Sequence, residues 1–309
     1  MRGPCPVCEE SADFEVKRPY RATHPIFEGL DLLQCRQCGM VFADSMPCEE
    51  ALTDYNASYF TSAHGGQPQN YQAKAFFSGI ARLRMAHVER FLCSRNIAVT
   101  SVLEFGPGSG FFSLNWLAKH PQTSYSAYET DTSCHFALQK MGVHLYNVST
   151  QADGTDIVDL IVMSHVMEHV TDPKKFLMES TRNLRRGGAI FIEVPCRDWA
   201  HKPIDEPHLL FFEKGPMHLL LKRAGFEDIQ VSYHGQEIER LSSASLWRSI
   251  SMTLRSKLIA LGLIVPFARK RPGMEVVTDP LERAVVAPFQ AHREMKKPAW
   301  WLRAVARKR

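Results

Sequence analysis

A short apolar strand that runs into three closely spaced glycines constrains the fold of this chain most strongly. Residues 102–110 read VLEFGPGSG, and the next nine residues, FFSLNWLAK, have the composition of a helix. Glycines at a strand-to-helix turn let the backbone approach a ligand closely, and the first turn of the helix presents unpaired N–H groups. This pattern predicts a parallel α/β sheet with a ligand site at the carboxyl end of the strand.

Strand and helix patterns alternate beyond this turn. Residues 124–129, 157–163 and 189–195 predict buried strands. Between them, residues 173–186 predict a helix that begins with proline and ends before two glycines. A further helix at 213–224 and a strand at 226–233 continue the series. The alternation indicates one doubly wound α/β domain.

Glu129 ends the second strand of this series, twenty-three residues after Gly106. An acid at this position can accept hydrogen bonds from both ribose hydroxyls of an adenosine-containing ligand, although a surface glutamate at a strand end is the plainer alternative. The dinucleotide fingerprint GxGxxG requires glycine at position 111, where this chain has Phe111. An NAD-dependent oxidoreductase is therefore disfavoured.

Two CxxC pairs precede this domain. Cys5 and Cys8 form the first pair, and Cys35 and Cys38 form the second. Four thiolates at this spacing predict a tetrahedral zinc site, although an iron–sulfur cluster accepts the same ligands. All four ligands are protein groups, so the predicted zinc is structural rather than catalytic. The other four cysteines are expected to be small buried side chains.

Four stretches together resemble the class I S-adenosylmethionine-dependent methyltransferases. They are EFGPGSG at 104–110, Glu129, DLIVMSHVMEHVTDP at 159–173 and LRRGGAIFIEVP at 184–195. With the two CxxC pairs and the tyrosine-rich DYNASYF at 54–60, the first 235 or so residues resemble the zinc-ribbon methyltransferases associated with sugar and glycan modification. The fold implied is a Rossmann-like, seven-stranded α/β methyltransferase sheet with a small N-terminal zinc ribbon.

The resemblance implies that S-adenosylmethionine is the cofactor. Glu104 and the glycine turn would hold its methionine end, and Glu129 would hold the ribose. His165 is also expected to contact the cofactor. The glycines of the turn are Gly106, Gly108 and Gly110.

Residues 165–169 read HVMEH, which also matches a metalloprotease pattern in which two histidines bind zinc. His165 ends a predicted strand instead of lying within a helix, which disfavours a zinc hydrolase. Methyltransferases of the ubiquinone pathway carry acidic and histidine side chains in the corresponding window, and some hold a divalent ion there. His165 stands where those enzymes carry an acid, so a second metal site remains an open question.

His169 and His208 are the predicted catalytic residues. A base is needed only when the methyl acceptor is a hydroxyl or a carbon acid, and histidine can take a proton near neutral pH. His169 follows the fourth strand, and His208 lies in the segment DEPHL after the fifth. O-methylation is predicted ahead of C-methylation, and the acceptor is expected to be a sugar, a glycan or a related small metabolite.

The chain is predicted to comprise five regions. They are a zinc ribbon at 1–48, a helical lead-in at 49–99, the cofactor-binding core at 100–235, a helical insertion or substrate cap at 236–298, and a final strand with a basic tail at 299–309. The stretch 242–273 has six basic residues and no acid. A basic amphipathic helix at 246–271 is therefore expected to pack on its own domain or to contact an anionic membrane surface peripherally.

The net charge of the chain and the charges of its first 48 residues indicate which class of partner it binds. The net charge is +4 over 309 residues, and residues 1–48 carry five basic residues against seven acids. Nucleic acid is therefore an unfavoured partner. An RNA methyltransferase that grips its substrate with the ribbon, and a non-catalytic, zinc-stabilised interaction protein on a methyltransferase fold, remain the alternatives. The sequence shows neither a leader nor a long apolar run, so a cytoplasmic location is expected, with the inner face of the membrane as a peripheral site.

Overall fold

The computed structural model describes residues 3–11, 13–57, 71–146, 157–241 and 294–309, with four separate positions between 250 and 257. The predicted insertion at 236–298 lies mostly outside the described residues, and so does most of the predicted basic helix at 246–271. Every helix among the described residues is too short or too polar to span a membrane.

The described part of the chain contains twelve strands and seven α-helices. The strands are β1 Phe14–Pro19, β2 Asp31–Cys35, β3 Val41–Ala43, β4 Ser101–Phe105, β5 Ser124–Tyr128, β6 His144–Leu145, β7 Val158–Ser164, β8 Leu184–Pro195, β9 Leu210–Phe211, β10 Phe226–Glu237, β11 Glu294–Met295 and β12 Ala299–Lys308. The helices are α1 Glu49–Asn56, α2 Tyr71–Ser94, α3 Phe111–Lys119, α4 His135–Lys140, α5 Pro173–Ser180, α6 Lys214–Arg223 and α7 Ile238–Leu241.

The central sheet is mixed, with the order β11-β10-β12-β8-β7-β4-β5-β6. The strands β6, β5, β4, β7 and β8 run parallel, whereas β12 pairs antiparallel with both β8 and β10. The predicted α/β class is confirmed. The predicted count of seven strands is wrong for the described residues, because the two-residue strand β11 adds an eighth at the edge beside β10.

Burial on both faces explains the apolar runs in the middle of this sheet. Ile161, Val162 and Met163 of β7 have no exposed surface, and alternate residues belong to different hydrophobic clusters. One cluster packs against α2 and α3 through Val88 and Trp116. The other includes residues of α5, α6 and the N-terminal sheet. The parallel strands therefore end between two covered faces, which leaves their carboxyl ends to form a site.

The N-terminal residues form a second sheet with the order β1-β2-β3-β9. Its last strand, Leu210–Phe211, comes from the loop after β8 and pairs antiparallel with β3. The N-terminal unit is thus joined to the α/β core by backbone pairing. Two of the four cysteines expected to be buried, Cys48 and Cys93, are exposed, because the first precedes α1 and the second lies in the last turn of α2.

Candidate active site

The glycine turn connects β4 to α3 at the carboxyl edge of the sheet. Gly106 and Gly110 have positive φ angles of 63° and 69°, which favour glycine. A Cβ at Gly110 would lie 2.8 Å from Leu138 Cδ2, and one at Gly106 would lie 3.0 Å from Val166 Cγ2. Side chains therefore cannot replace these glycines without displacing neighbours. The turn therefore keeps a backbone without side chains at the end of β4.

Glu129 lies directly beside this turn. Its Oε2 accepts a hydrogen bond of 2.8 Å from the Gly108 N–H, and its Oε1 accepts one of 2.9 Å from the Asp131 N–H. Burial raises the pKa of Glu129, and the two backbone donors act in the opposite direction. A carboxylate has about four acceptor positions, so two ribose hydroxyls can still be accommodated.

Glu104 lies within β4, two residues before Gly106 of the turn. Its side chain is almost fully buried, and its Oε2 accepts a hydrogen bond of 2.7 Å from the Tyr125 hydroxyl. Burial raises the pKa of Glu104 to about 7. The structure therefore places Glu104 behind the turn, and its contact with the methionine end of the cofactor stays a prediction.

His165 follows β7 directly, and its positive φ of 59° is uncommon for a residue with a side chain. Its Nδ1 lies 3.1 Å from Glu168 Oε1 and its Nε2 lies 3.5 Å from Glu193 Oε1. Desolvation lowers the pKa of His165, but hydrogen bonds to these two carboxylates raise it above its ordinary value overall. The neighbouring residue, Val166, meets Gly106, so His165 lies next to the glycine turn.

A buried charge cluster below His165 was missed by the sequence analysis. Glu193 Oε2 accepts a hydrogen bond of 2.6 Å from Arg303 Nε, and Glu193 Oε1 accepts one of 2.7 Å from Arg84 Nε. Burial raises the pKa of Glu193, but the two guanidinium groups hold it well below its ordinary value. The available signal was one charge within each of the apolar runs AIFIEVP and AWWLRAVA. The structure pairs the two, Glu193 of β8 and Arg303 of β12, in register.

The predicted catalytic histidines come together. The rings of His169 and His208 lie 5.0 Å apart in an edge-to-face arrangement with an interplanar angle of 81°. His208 Nδ1 lies 2.5 Å from Asp198 Oδ2. Burial lowers the pKa of His169 to about 3, so this imidazole is neutral at physiological pH. Asp198 was missed because nothing in its local sequence links it to His208.

A family model described as a methyltransferase domain matches residues 72–231, which is more than half of the chain. The chain belongs to this methyltransferase family. The match confirms the predicted enzyme class, an S-adenosylmethionine-dependent methyltransferase. No curated protein sequence matches the chain.

Several solved structures are similar to this methyltransferase in fold. A possible histamine N-methyltransferase from Thermotoga maritima is 14% identical, with 73% of this chain and 96% of that chain covered and a TM-score of 0.44. The plantazolicin methyltransferase BpumL, solved with SAH, is 12% identical, with coverages of 84% and 99% and a TM-score of 0.46. The [4+2]-cyclase SpnF is 15% identical, with coverages of 84% and 94% and a TM-score of 0.47.

The N-terminal sheet of the methyltransferase holds the loop that carries His208. Arg18 and Arg21 both donate hydrogen bonds to the buried carboxylate of Asp205. The Tyr20 hydroxyl donates a hydrogen bond of 3.0 Å to the backbone carbonyl of His208. The position of the His208 imidazole therefore depends on the N-terminal unit as well as on Asp198.

The four cysteines of the two CxxC pairs meet in the N-terminal unit. Cys5 Sγ lies 3.6 Å from Cys38 Sγ, and Cys8 Sγ lies 3.5 Å from Cys35 Sγ. Sulfur atoms in a tetrahedral Zn(Cys)4 site are separated by about 3.8 Å, given a Zn–S distance of about 2.3 Å. The thiols therefore have a geometry that fits a zinc ion.

Proposed function

We propose that this methyltransferase transfers the methyl group of S-adenosylmethionine to a hydroxyl oxygen of a sugar, a glycan or a related small metabolite. The observation that carries the proposal is the His169–His208 pair, whose rings lie 5.0 Å apart. His169 lies three residues after Val166, the residue that meets the glycine turn. The pair supports a hydroxyl acceptor, because such an acceptor must lose a proton. The sugar or glycan class comes from the resemblance to the zinc-ribbon subgroup.

The cofactor supplies a methyl group that is already electrophilic, because it is bonded to a sulfonium. The protein's own task is to hold the acceptor in line with the S–CH3 bond and to exclude water. In the transfer, an O–CH3 bond forms, the S–CH3 bond breaks with its electron pair staying on sulfur, and the hydroxyl proton passes to Nε2 of His208, whose Nδ1 is paired with Asp198. We propose His169 and His208 as the groups that activate the acceptor oxygen, with Asp198 orienting His208.

The cofactor itself would be held by the turn and by Glu129. Gly106, Gly108 and Gly110 allow the close approach, and Glu129 would accept hydrogen bonds from the ribose hydroxyls. His165 is proposed to contact the cofactor from the end of β7, and Glu104 to act at the methionine end. The carboxylate of Glu129, held beside the turn by the Gly108 N–H, supports this assignment.

We further propose a structural zinc ion on Cys5, Cys8, Cys35 and Cys38. Four protein thiolates leave no coordination position for a substrate, so this zinc would stabilise the N-terminal unit. Peripheral membrane contact through residues 246–271 stays a prediction.

The charges of the N-terminal unit bear on the RNA alternative. The Lys and Arg side chains described between residues 3 and 48 all lie within ion-pair distance of a carboxylate: Lys17 with Glu15, Arg18 and Arg21 with Asp205, and Arg36 with Asp13. Phosphate contacts require cations that are available to the nucleic acid backbone. This pairing supports a small acceptor over a polyanion.

The decisive experiment gives the purified methyltransferase methyl-labelled S-adenosylmethionine together with fractionated cell extract. We expect label in a sugar, glycan or nucleotide-sugar fraction, and no label with a Glu129→Ala variant. Label confined to RNA would overturn the acceptor class. Calorimetry that shows no binding of S-adenosylmethionine or S-adenosylhomocysteine would favour the non-catalytic alternative.

A further inference from the structure

A second cluster of metal-ligating side chains lies apart from the four cysteines. Glu168, His169 and His208 each offer one ligand atom, and these atoms all lie within 4.8 Å of one another. The first two residues come from the 3-10 turn after β7, and the third comes from the loop before β9. A hydrogen bond of 2.7 Å from the Leu209 N–H to the Glu168 carbonyl joins these two segments.

Glu168 presents one carboxylate oxygen to this cluster. Its side chain is 1% exposed, and its Oε1 lies 3.1 Å from His165 Nδ1. Its Oε2 is buried, and no hydrogen-bond partner for it lies among the described residues. Burying an ionised oxygen without a partner is costly, so such groups in native proteins are usually paired or bound to a metal.

His208 is oriented as metal-binding histidines usually are. Its Nδ1 lies 2.5 Å from Asp198 Oδ2, so its Nε2 is the nitrogen left for a ligand. A histidine that binds a metal typically donates its other ring N–H to a carboxylate, which fixes the tautomer and the orientation of the ring. Lys202 Nζ lies 3.0 Å from the same Asp198 oxygen and anchors it further.

We propose that Glu168, His169 and His208 bind one divalent transition-metal ion, with Zn²⁺ as the best fit. Two imidazole nitrogens and one carboxylate oxygen are a donor set that suits this ion. Three protein ligands leave a coordination position open, in contrast to the four thiolates of the N-terminal unit. The second cluster therefore has the composition of a catalytic site rather than a structural one.

The role of this ion rests on the proposed function, whereas the site itself does not. An acceptor hydroxyl in the open position would have its pKa lowered by the ion, as happens to zinc-bound water. Its proton would pass to solvent instead of to His208, and the alkoxide would then attack the methyl group. In this arrangement the two histidines activate the acceptor as ligands, and the reaction involves no change of oxidation state.

The test measures zinc content and zinc titration on the full-length methyltransferase. We expect about two zinc ions per chain, one bound by the four cysteines and one by Glu168, His169 and His208. Glu168→Gln and, separately, His208→Asn should each leave about one, and Cys38→Ser should remove the other. The control His218→Asn changes an exposed histidine on α6 and should keep both ions.

Asp198→Asn gives a finer readout, because it changes the orientation of a ligand without removing one. We expect its zinc affinity at this site to fall by about 10- to 100-fold. Binding of S-adenosylhomocysteine and the circular dichroism spectrum would show that each variant is folded. If Glu168→Gln does not fold, His169→Gln serves in its place.

Two outcomes overturn the proposal. One is a single zinc per chain that depends on Cys38 and is indifferent to folded Glu168 and His208 variants. The other is a titration of metal-depleted protein with Zn²⁺, Mn²⁺ or Co²⁺ that shows no site sensitive to these variants. Methyl transfer that depends on His208 but needs no second ion would leave the proposed function standing. A second zinc ion in a protein that transfers no methyl group would support the metal site and contradict the proposed function.

Discussion

Arg18 donates hydrogen bonds of 2.5 and 2.7 Å to the two carboxylate oxygens of Asp205, although 187 positions separate these residues in the chain. The Asp205 side chain has no exposed surface, and its backbone carbonyl accepts a hydrogen bond from the His208 N–H. The pair therefore connects the N-terminal sheet to the loop that carries a predicted catalytic residue. In this methyltransferase the N-terminal unit acts on the site by positioning that loop.

Replacing Arg18 should weaken this connection. In Arg18→Met the long stem remains but the donors are lost, and we expect the free energy of unfolding to fall by about 2 kcal/mol. Methyl transfer to the accepting fraction should fall by roughly tenfold or more, because the His208 loop is displaced. Binding of S-adenosylhomocysteine, measured by calorimetry, should stay unchanged.

Arg36→Met is the matched control, because Arg36 pairs with Asp13 where both side chains are largely exposed. Exposed ion pairs contribute little, so neither stability nor activity should change measurably. Equal losses of activity in the two variants would contradict a specific role for Arg18.

Removing a ligand of the proposed zinc ion should also displace the loop that carries His208, although the zinc site lies outside that loop. In Cys38→Ser one of the four clustered thiols is lost, and we expect the N-terminal unit to lose its zinc and part of its structure. Activity should fall even though no cysteine of this cluster is proposed to touch the substrate. Cys48→Ser, at an exposed cysteine outside the cluster, should retain zinc and activity. Full activity in a Cys38→Ser protein that lacks the N-terminal zinc would show that the N-terminal unit does not affect catalysis.

Loss of the Glu129 carboxylate should weaken the binding of the cofactor. Glu129→Gln places an amide group where two backbone N–H donors point, so it disturbs the turn as well as the proposed ribose contact. We expect the affinity for S-adenosylhomocysteine to fall by about tenfold or more, since a hydrogen bond to a charged group contributes about 1.5–3 kcal/mol. Unchanged affinity in a folded Glu129→Gln protein would refute the assignment of Glu129.

The glycine turn can be tested by comparing two glycines with similar backbone angles. Gly110 and Gly29 have φ angles of 69° and 75°, but only the added Cβ at Gly110 would meet a neighbour, Leu138 Cδ2 at 2.8 Å. We expect Gly29→Ala to cost about 1 kcal/mol from the backbone alone and Gly110→Ala about 3 kcal/mol. Urea denaturation measures both. Equal costs would mean that the turn tolerates a side chain.

Local sequence patterns were sufficient to predict strands, turns and helices that are formed by contiguous residues. The strand at 101–105, the glycine turn and the helix at 111–119 are contiguous, and their periodicity was readable. A final strand was predicted at 299–309, and residues 299–308 form β12, which pairs antiparallel with β8 and β10.

Contacts between residues that are far apart in the sequence could not be predicted from local patterns. The two-residue pairing of β9 with β3 has too few residues to give a periodic pattern. Asp198 and His208 lie in an irregular loop, so their contact depends on how the chain folds back. Glu193 and Arg303 could be recognised as unusual charges in apolar strands, but their pairing required the strand order.

The pH dependence of stability should report the buried Glu104. Burial raises its pKa in the folded protein to about 7, from an ordinary value of 4.5. Between these pH values the folded protein holds a proton that the unfolded chain has released. The free energy of unfolding should therefore fall as the pH rises through this range, by about 3 kcal/mol in all, and this contribution should level off above pH 7.

Glu104→Gln removes this titration and leaves an oxygen that can accept the Tyr125 hydrogen bond. Relative to the native protein, the variant should gain about 3 kcal/mol of stability between pH 5 and pH 8. Urea denaturation at several pH values measures this difference. Glu28→Gln, at an exposed glutamate, should follow the native curve. Parallel curves for the native protein and Glu104→Gln would show that Glu104 is ionised across the whole range, because only a proton taken up on folding makes the two curves diverge.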